Sequence, residues 1–183
     1  MDICTKGIMC HNKAKGFKPK SIADPGVQER RKKVVVPGAN RKLHDYANLY
    51  FNPRNPMMYK RKAMHEELCV LRVSCDVMDE SDVIITDGNA SSGYTRFLTV
   101  PWGFVQLEKD LIYTKYWNHD DPIEKAKRTW AICAEVLVPD IVDPRFITEI
   151  FVSCVQTKEK LASLLNQHAI SITVSEKPAV FFR

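Results

Sequence analysis

Short apolar runs separated by polar residues dominate the hydrophobic pattern of this chain. The runs are four to nine residues long and rich in β-branched, aliphatic or aromatic side chains. Runs of this length and composition predict β-strands. The predicted strands are residues 46–51, 68–73, 83–86, 134–138, 147–155 and 170–174.

Capping residues predict the helices between these strands. Asp24, Asn55 and Asp121 each stand directly before a proline. A side-chain acceptor followed by proline favours the start of a helix, because proline fits the first turn and the acceptor satisfies its free N–H groups. Thr157 is the predicted N-cap of a later helix that carries Leu161, Leu164 and Leu165. Strands outnumber helices and the two types mix along the chain, so we predict an α+β protein of one domain.

The charge of the chain is strongly uneven. Residues 1–62 hold 15 Lys/Arg against 4 Asp/Glu, a net charge of +11, whereas residues 63–183 have a net charge of −6. A basic segment of this kind attracts a polyanion such as nucleic acid. On charge alone, a solvated basic face without a partner stays equally open.

Several function classes find no support in the sequence. There is no GxGxxG, GxxxxGK[ST], GxSxG or HExxH motif, and the six cysteines include no pair with zinc spacing. We therefore expect no metal and read the cysteines as buried free thiols. No apolar run is long enough to span a bilayer, and the first residues lack the pattern of a signal peptide. These features predict a cytoplasmic protein.

Polar and aromatic residues in unexpected places are the candidates for chemistry. Glu135 is the one charge in the apolar segment 131–138, so we expect it to be partly buried and to serve as a general base, or else to point out from an amphipathic strand. Arg30 and Arg31 suit the phosphate oxygens of a ligand, but within four basic residues they also suit a solvated helix face. Tyr46, Tyr50, Phe51 and Tyr59 alternate with Arg54, Lys60 and Arg61, an arrangement that either stacks single-stranded bases or fills a core.

Taken in order, these segments resemble the DarT family of DNA ADP-ribosyltransferase toxins. Residues 21–31 (SIA followed by QERR) are similar to the NAD-binding segment of the family. Residues 43–59 match its central pattern LHDYxxxYFxPRxPMxY. Thr86-Asp87 with Arg96-Phe97 falls on a TD…RF stretch, and residues 134–138 (AEVLV) resemble the strand with the catalytic glutamate.

The resemblance implies a fold, a reaction and a set of site residues. We expect an ADP-ribosyltransferase-like fold with two small packed β-sheets and flanking helices. The expected reaction transfers ADP-ribose from NAD⁺, the co-substrate, to a base of single-stranded DNA. Glu135 would orient the ribose hydroxyl and take the base proton, and Arg31 would clamp NAD⁺. The implied residues are Arg31 and Glu135 for catalysis; His11, Asn12, Ser21, Ile22, Gln28 and Arg31 for NAD⁺; and His44, Tyr46, Arg54, Met57, Tyr59 and Arg96 for DNA.

One departure from the family concerns the start of the chain. Family members begin with a strand whose His-x-Thr motif holds the nicotinamide end of NAD⁺, whereas residues 1–9 match the element after that strand and no histidine precedes His11. We therefore expect a single domain over residues 1–183 without this strand, in a longer protein or in a shortened family member.

The resemblance also implies partners. They are single-stranded DNA and a macrodomain antitoxin of the DarG type. We further expect the chain to be a monomer and to make no contact with a membrane. A catalytically silent nucleic-acid-binding domain, and transfer to RNA or protein, stay open as alternatives.

Overall fold

Helices and strands follow one another closely along residues 2–17 and 22–183, which a computed structural model describes. The α-helices are α1 (Asp2–Lys6), α2 (His11–Ala14), α3 (Pro25–Lys33), α4 (Pro56–Lys60), α5 (Lys109–Ile112), α6 (Pro122–Ala131) and α7 (Val155–Gln167). The strands are β1 (Ile8–Met9), β2 (Val35–Val36), β3 (Arg41–Lys42), β4 (Tyr46–Tyr50), β5 (Val70–Val73), β6 (Ile84–Thr86), β7 (Phe97–Thr99), β8 (Glu135–Pro139), β9 (Ile141–Val142), β10 (Ile147–Val152) and β11 (Thr173–Glu176).

Short 3₁₀ helices join many of these elements. They are Lys15–Phe17, Leu43–Asp45, Lys62–Glu67, Cys75–Asp79, Trp102–Gln106, Pro144–Phe146 and Pro178–Val180. No helix in the described ranges is long and apolar enough to cross a membrane.

Two main sheets organise the fold. The larger has the strand order β4-β8-β6-β7, and all of its neighbours are antiparallel. The smaller has the order β11-β10-β5, in which β10 runs parallel to β11 and antiparallel to β5. Two-stranded ribbons β1-β9 and β2-β3 accompany them. The expectation of two small sheets with helices is therefore correct for the main sheets, and the ribbons are additional.

Alternation along β8 divides the core of the larger sheet into two faces. Val136 and Val138 pack on one face with Ile85, Val77 and other buried side chains. Leu137 packs on the opposite face against Leu43 and the ring of Tyr46. Successive residues of a strand point to opposite sides of the sheet, so Glu135 shares the face of Leu137. That is the face over which the chain between α3 and β4 folds.

The predicted N-caps are confirmed at three helices. The Asp24 carboxylate accepts a hydrogen bond from the N–H of Val27, and Asp121 accepts one from Ile123. Asn55 Oδ1 accepts from the N–H groups of both Met57 and Met58, at 3.0 and 3.1 Å. These three caps fix where α3, α6 and α4 begin.

Three predictions near the C-terminal end are wrong in their limits. Helix α7 begins at Val155, with Cys154 rather than Thr157 at its N-cap, because the Thr157 hydroxyl donates instead to the carbonyl of Glu66. The strand predicted to reach residue 155 ends at Val152, because Cys154 caps α7 and Val155 is its first residue. The last strand starts at Thr173 rather than at residue 170, since the preceding residues complete the turn after α7.

Candidate active site

A buried ion pair between Arg31 and Glu135 forms the centre of the candidate site. Arg31 Nη1 lies 2.9 Å from Glu135 Oε1 and 3.0 Å from Oε2, and the two residues are 4% and 1% exposed. Burial by itself lowers the pKa of Arg31, but the charge and the hydrogen bonds of Glu135 outweigh it, so the pKa is raised. The structure thus brings together the two residues expected to act in catalysis, from positions 104 residues apart.

Sheet geometry explains the position of Glu135. It is the first residue of β8, and its backbone N–H donates to the Thr86 hydroxyl, which in turn donates to the carbonyl of Gly88. Glu135 Oε1 also accepts a hydrogen bond from the backbone N–H of Ala90 at 3.2 Å. The carboxylate is therefore held by Arg31 on one side and by the loop after β6 on the other.

Arg31 keeps one free donor group. After its first three residues, Pro25, Gly26 and Val27, helix α3 is polar throughout, and Arg31 is its only buried residue. Its Nη2 atom is buried and has no hydrogen-bond partner among the described residues. A guanidinium donates up to five hydrogen bonds, so this nitrogen is able to bind a hydroxyl or an anionic oxygen of a ligand.

The loop that contacts Glu135 is closed by an ion pair. Asp87 is buried and accepts from the backbone N–H of Arg96 at 2.9 Å and from Arg96 Nε at 2.5 Å. A Cβ on Gly88 would lie about 2 Å from the indole of Trp130, so this close approach requires glycine. The predicted TD…RF stretch therefore holds this loop in place. The Arg96 guanidinium donates hydrogen bonds to Asp87 and to Gln106.

Two stacked histidines lie beside the ion pair. The rings of His11 and His44 are 4.1 Å apart at 25°, and His44 Nε2 is 3.1 Å from Gln28 Oε1. Gln28 stands one helical turn before Arg31 on α3, so both side chains face the same way. Burial and the nearby charges of His11 and Arg31 lower the pKa of His44 to about 4, so both rings are neutral at pH 7.

The residues expected to bind NAD⁺ gather in this cluster with two exceptions. Asn12 joins it through Asp45, whose Oδ1 accepts from Asn12 Nδ2 at 2.7 Å. Ile22 lies apart, at the rim of a neighbouring groove, and its carbonyl accepts from the Arg61 guanidinium. Ser21 falls outside the described residues.

Some residues expected to bind DNA have exposed side chains, whereas others are packed in the core or hydrogen-bonded within the protein. Tyr59 is exposed on α4, Met57 is half-buried, and His44 is in the cluster described above. Tyr46 is 2% exposed and packs in the core, so its ring has no face free for a base. Arg54 donates to the carbonyls of Ala179 and Phe181, and thereby anchors the last turn of the chain.

Tyr50 lies at the site, although the sequence did not distinguish it from the neighbouring aromatic residues. It pairs with Glu135 across β4 and β8, so both side chains lie on the same face of the sheet. Burial and the negative charge of Glu135 raise the pKa of its phenol. Tyr50 also lines a groove of about 500 Å³ at the free edge of β4, together with Ile22, Met57 and Leu71. Tyr50 therefore takes part in both the groove and the surroundings of the ion pair.

The cysteines are less buried than the sequence suggests. All six are free, but only Cys10 is buried, whereas Cys69 and Cys75 are exposed and the other three are intermediate. The expectation of buried thiols is wrong for most of them, and none of the six lies in a strand of the two main sheets. The described residues contain no group of three or more side chains arranged to hold a metal ion.

Comparison with known proteins gives matches over nearly the whole chain. The family model described as "DarT: ssDNA thymidine ADP-ribosyltransferase" matches residues 2–182. A DNA ADP-ribosyl transferase–DNA ADP-ribosyl glycohydrolase fusion protein of Thermosipho africanus (strain H17ap60334) is 33% identical over 188 residues, which cover 98% of this chain and 46% of that protein. The chain thus spans about half the length of this relative.

Two further matches come from Thermus. A DNA ADP-ribosyl transferase of Thermus sp. (strain 2.9) is 28% identical over 170 residues, covering 87% of this chain and 78% of the relative. The structure of Thermus sp. 2.9 DarT in complex with ADP-ribosylated single-stranded DNA superimposes with a TM-score of 0.85, at 27% identity, over 98% of this chain and 90% of that one.

Proposed function

The chain belongs to the DarT family of single-stranded-DNA thymidine ADP-ribosyltransferases, and on that basis we propose that it transfers ADP-ribose from NAD⁺ to thymidine in single-stranded DNA. The observation that carries this proposal is the buried Arg31–Glu135 pair. A carboxylate is able to accept a proton and to stabilise a developing positive charge, and an arginine with a free donor is able to bind an anionic oxygen. A relative named as a DNA ADP-ribosyl transferase and a related structure with ADP-ribosylated DNA support the choice of acceptor.

The reaction exchanges one glycosidic bond for another. In NAD⁺ the bond between ribose C1 and the nicotinamide nitrogen breaks, and nicotinamide leaves as a neutral molecule with the bonding electron pair. Thymine N1 already holds the deoxyribose, so N3 is the ring nitrogen left to attack C1. The N3 proton passes to Glu135 and then to solvent. The products are ADP-ribosylated DNA, nicotinamide and a proton.

Glu135 acts on both reactants in this scheme. Its carboxylate would stabilise the positive charge that develops on the ribose as nicotinamide leaves, and would accept the proton of N3. The N–H of Ala90 and Arg31 Nη1 hold the carboxylate in one orientation. A fixed orientation matters because the ribose and the base must meet within reacting distance.

Arg31 binds the anionic substrate with the nitrogen that Glu135 leaves free. Nη2 is buried and faces no acceptor among the residues that the structure describes, so a substrate hydroxyl or phosphate oxygen would complete its hydrogen bonds. Gln28, His44 and Asn12 provide further polar groups beside it. The strongly basic residues 1–62 would attract the DNA strand.

The fused relative suggests the partner. That protein is named as a transferase joined to a DNA ADP-ribosyl glycohydrolase. We propose that this chain acts as the toxin of a pair in which a glycohydrolase of this class, in the same or a separate chain, removes the mark.

Incubation of the protein with labelled NAD⁺ and a mixed-sequence single-stranded oligonucleotide tests the transfer. Glu135→Ala should reduce labelling by at least about 100-fold, the lower end of general-base contributions. Glu124→Ala removes an exposed carboxylate on α6 and is the matched control, which should label like the wild type. Oligonucleotide binding should be nearly unchanged in Glu135→Ala and should weaken steeply with salt.

Three outcomes would contradict the proposal. Labelling by Glu135→Ala at the wild-type rate would remove this residue from its role. Labelling of RNA or protein that unlabelled single-stranded DNA fails to compete away would change the acceptor. Salt-sensitive binding without labelling would indicate a silent nucleic-acid-binding domain.

A further inference from the structure

Three aromatic side chains from distant parts of the sequence meet at the surface beyond α4. Tyr59, Trp117 and Phe182 lie with ring centroids 5.3 to 5.8 Å apart, and each pair of rings is close to perpendicular, at 85° to 90°. Tyr59 is 46% exposed, and the other two rings are half-buried. We call these three residues the aromatic corner.

Cations surround the aromatic corner. The Arg54 guanidinium lies over the Phe182 ring at 4.0 Å, and the Lys62 ammonium lies over the Tyr59 ring at 4.6 Å. Lys60 is exposed and pairs with Asp24, the N-cap of α3. Arg54 and Lys62 each cover one face of a ring, and Trp117 has no cation over it among the described residues. Aromatic rings beside positive charges complement a ligand that has flat rings joined by phosphates.

The aromatic corner is linked to the ion pair through α3. Lys60 and Arg61 at the end of α4 bind Asp24 and the carbonyl of Ile22, where α3 begins. Arg31 follows Asp24 by seven residues, which corresponds to about 10 Å along a helix. A DNA strand whose target base lies at the ion pair would therefore bring a neighbouring nucleotide close to the corner.

We propose that the aromatic corner stacks the base of a nucleotide that flanks the modified thymidine, with Trp117 and Phe182 as binding residues. This inference rests on the proposed function, since it takes single-stranded DNA as the ligand. Mutually perpendicular rings offer faces in more than one direction, and stacking accepts any base. The corner thus adds affinity without adding strong sequence preference.

Binding of oligonucleotides of two lengths, measured without NAD⁺ by fluorescence anisotropy, tests the proposal. The wild type should bind a twelve-nucleotide strand more tightly than a four-nucleotide strand with the same central thymidine. Trp117→Leu and Phe182→Leu keep apolar volume but lose the ring, and should lower this affinity ratio by about 5- to 150-fold, the range for one stacked base. Trp117→Phe keeps a ring and should retain most of the ratio. Trp102→Leu removes an exposed tryptophan outside the corner and is the matched control.

An unchanged ratio in both leucine variants would overturn the proposal. Photocrosslinking of an oligonucleotide with 5-iodouracil beside the thymidine gives an independent readout, and the crosslink should map to Trp117, Tyr59 or Phe182. A crosslink confined to Trp102 or Trp130 would also overturn it. Because neither experiment needs catalysis, failure of ADP-ribose transfer is distinguishable from failure of the corner.

Discussion

The energetics of the Arg31–Glu135 pair give the sharpest test of the structure. Arg31→Met leaves the Glu135 carboxylate buried, with the N–H of Ala90 as its one remaining donor among residues 2–17 and 22–183. Glu135→Leu leaves the Arg31 guanidinium buried without an acceptor in the described part of the chain. The double variant Arg31→Met/Glu135→Leu removes both charges and puts apolar groups in their place.

The expected magnitudes follow from the burial of both partners, at 4% and 1% exposure. Removing one member of a buried ion pair costs about 3–5 kcal/mol, because the other charge is left uncompensated. Replacing both members by apolar side chains is often neutral or stabilising. Each single variant should therefore be less stable than the double variant, with a coupling free energy of at least about 3 kcal/mol.

Urea unfolding at 25 °C, followed by tryptophan fluorescence, measures the four free energies of unfolding. The exposed pair Arg145–Glu80, whose side chains are 63% and 44% exposed, gives the matched control cycle Arg145→Met/Glu80→Leu. Its coupling should be below about 1 kcal/mol, as for surface ion pairs in general. The double variant at Arg31 and Glu135 should also be folded but inactive in transfer, which would separate the chemistry of the pair from its stability.

A coupling at the buried pair that is no larger than in the control cycle would contradict the predicted cost of an uncompensated buried charge. A double variant less stable than both single variants would contradict it too. In that case, leaving one charge of the pair without its partner would have cost little free energy.

Three further predictions concern other described residues. Asn55→Ala should lower the free energy of unfolding by about 1–2 kcal/mol, because α4 loses its cap; urea unfolding checks this, and Asn55→Asp should recover part of the loss. Burial and neighbouring charges lower the pKa of His44 to about 4 in the folded protein, whereas its pKa in the unfolded chain is about 6.5. Between about pH 4 and about pH 6.5 the His44 imidazole is therefore protonated in the unfolded state and neutral in the folded state. The free energy of unfolding should therefore fall as the pH drops from about 6.5 to about 4, and it should fall less in His44→Gln. The same pH dependence in both proteins, measured by urea unfolding, would contradict this. The hydrogen bonds between Cys154 and Thr157 lower the pKa of the Cys154 thiol, whereas burial and the charge of Glu135 raise the pKa of Cys133 to about 12. Iodoacetamide at pH 8 should modify Cys154 well before Cys133, and equal rates in peptide mass maps would count against it.

Features that depend on a few neighbouring residues were predictable from the sequence. The starts of α3, α4 and α6 follow from an acceptor beside a proline, and both partners of a cap lie within three residues of each other. Glu135 was identifiable for a similar reason, because a single charge among apolar neighbours stands out without knowledge of the fold. The family pattern at residues 43–59 added the class of chemistry.

Tertiary structure decided which polar residues the fold buries. Residues 28–33 of helix α3 are all polar, so no periodicity distinguishes Arg31 from the basic residues around it. The pairing with Glu135 of β8, 104 positions away, does so. Thr157 is a residue type that often caps helices, but here its hydroxyl donates a hydrogen bond to the carbonyl of Glu66. Arg54 similarly donates to the carbonyls of Ala179 and Phe181, a contact that its local sequence does not indicate. Caps and alternation are decided by short-range sterics and hydrogen bonds, whereas a buried charge must be matched by a partner wherever the fold supplies one.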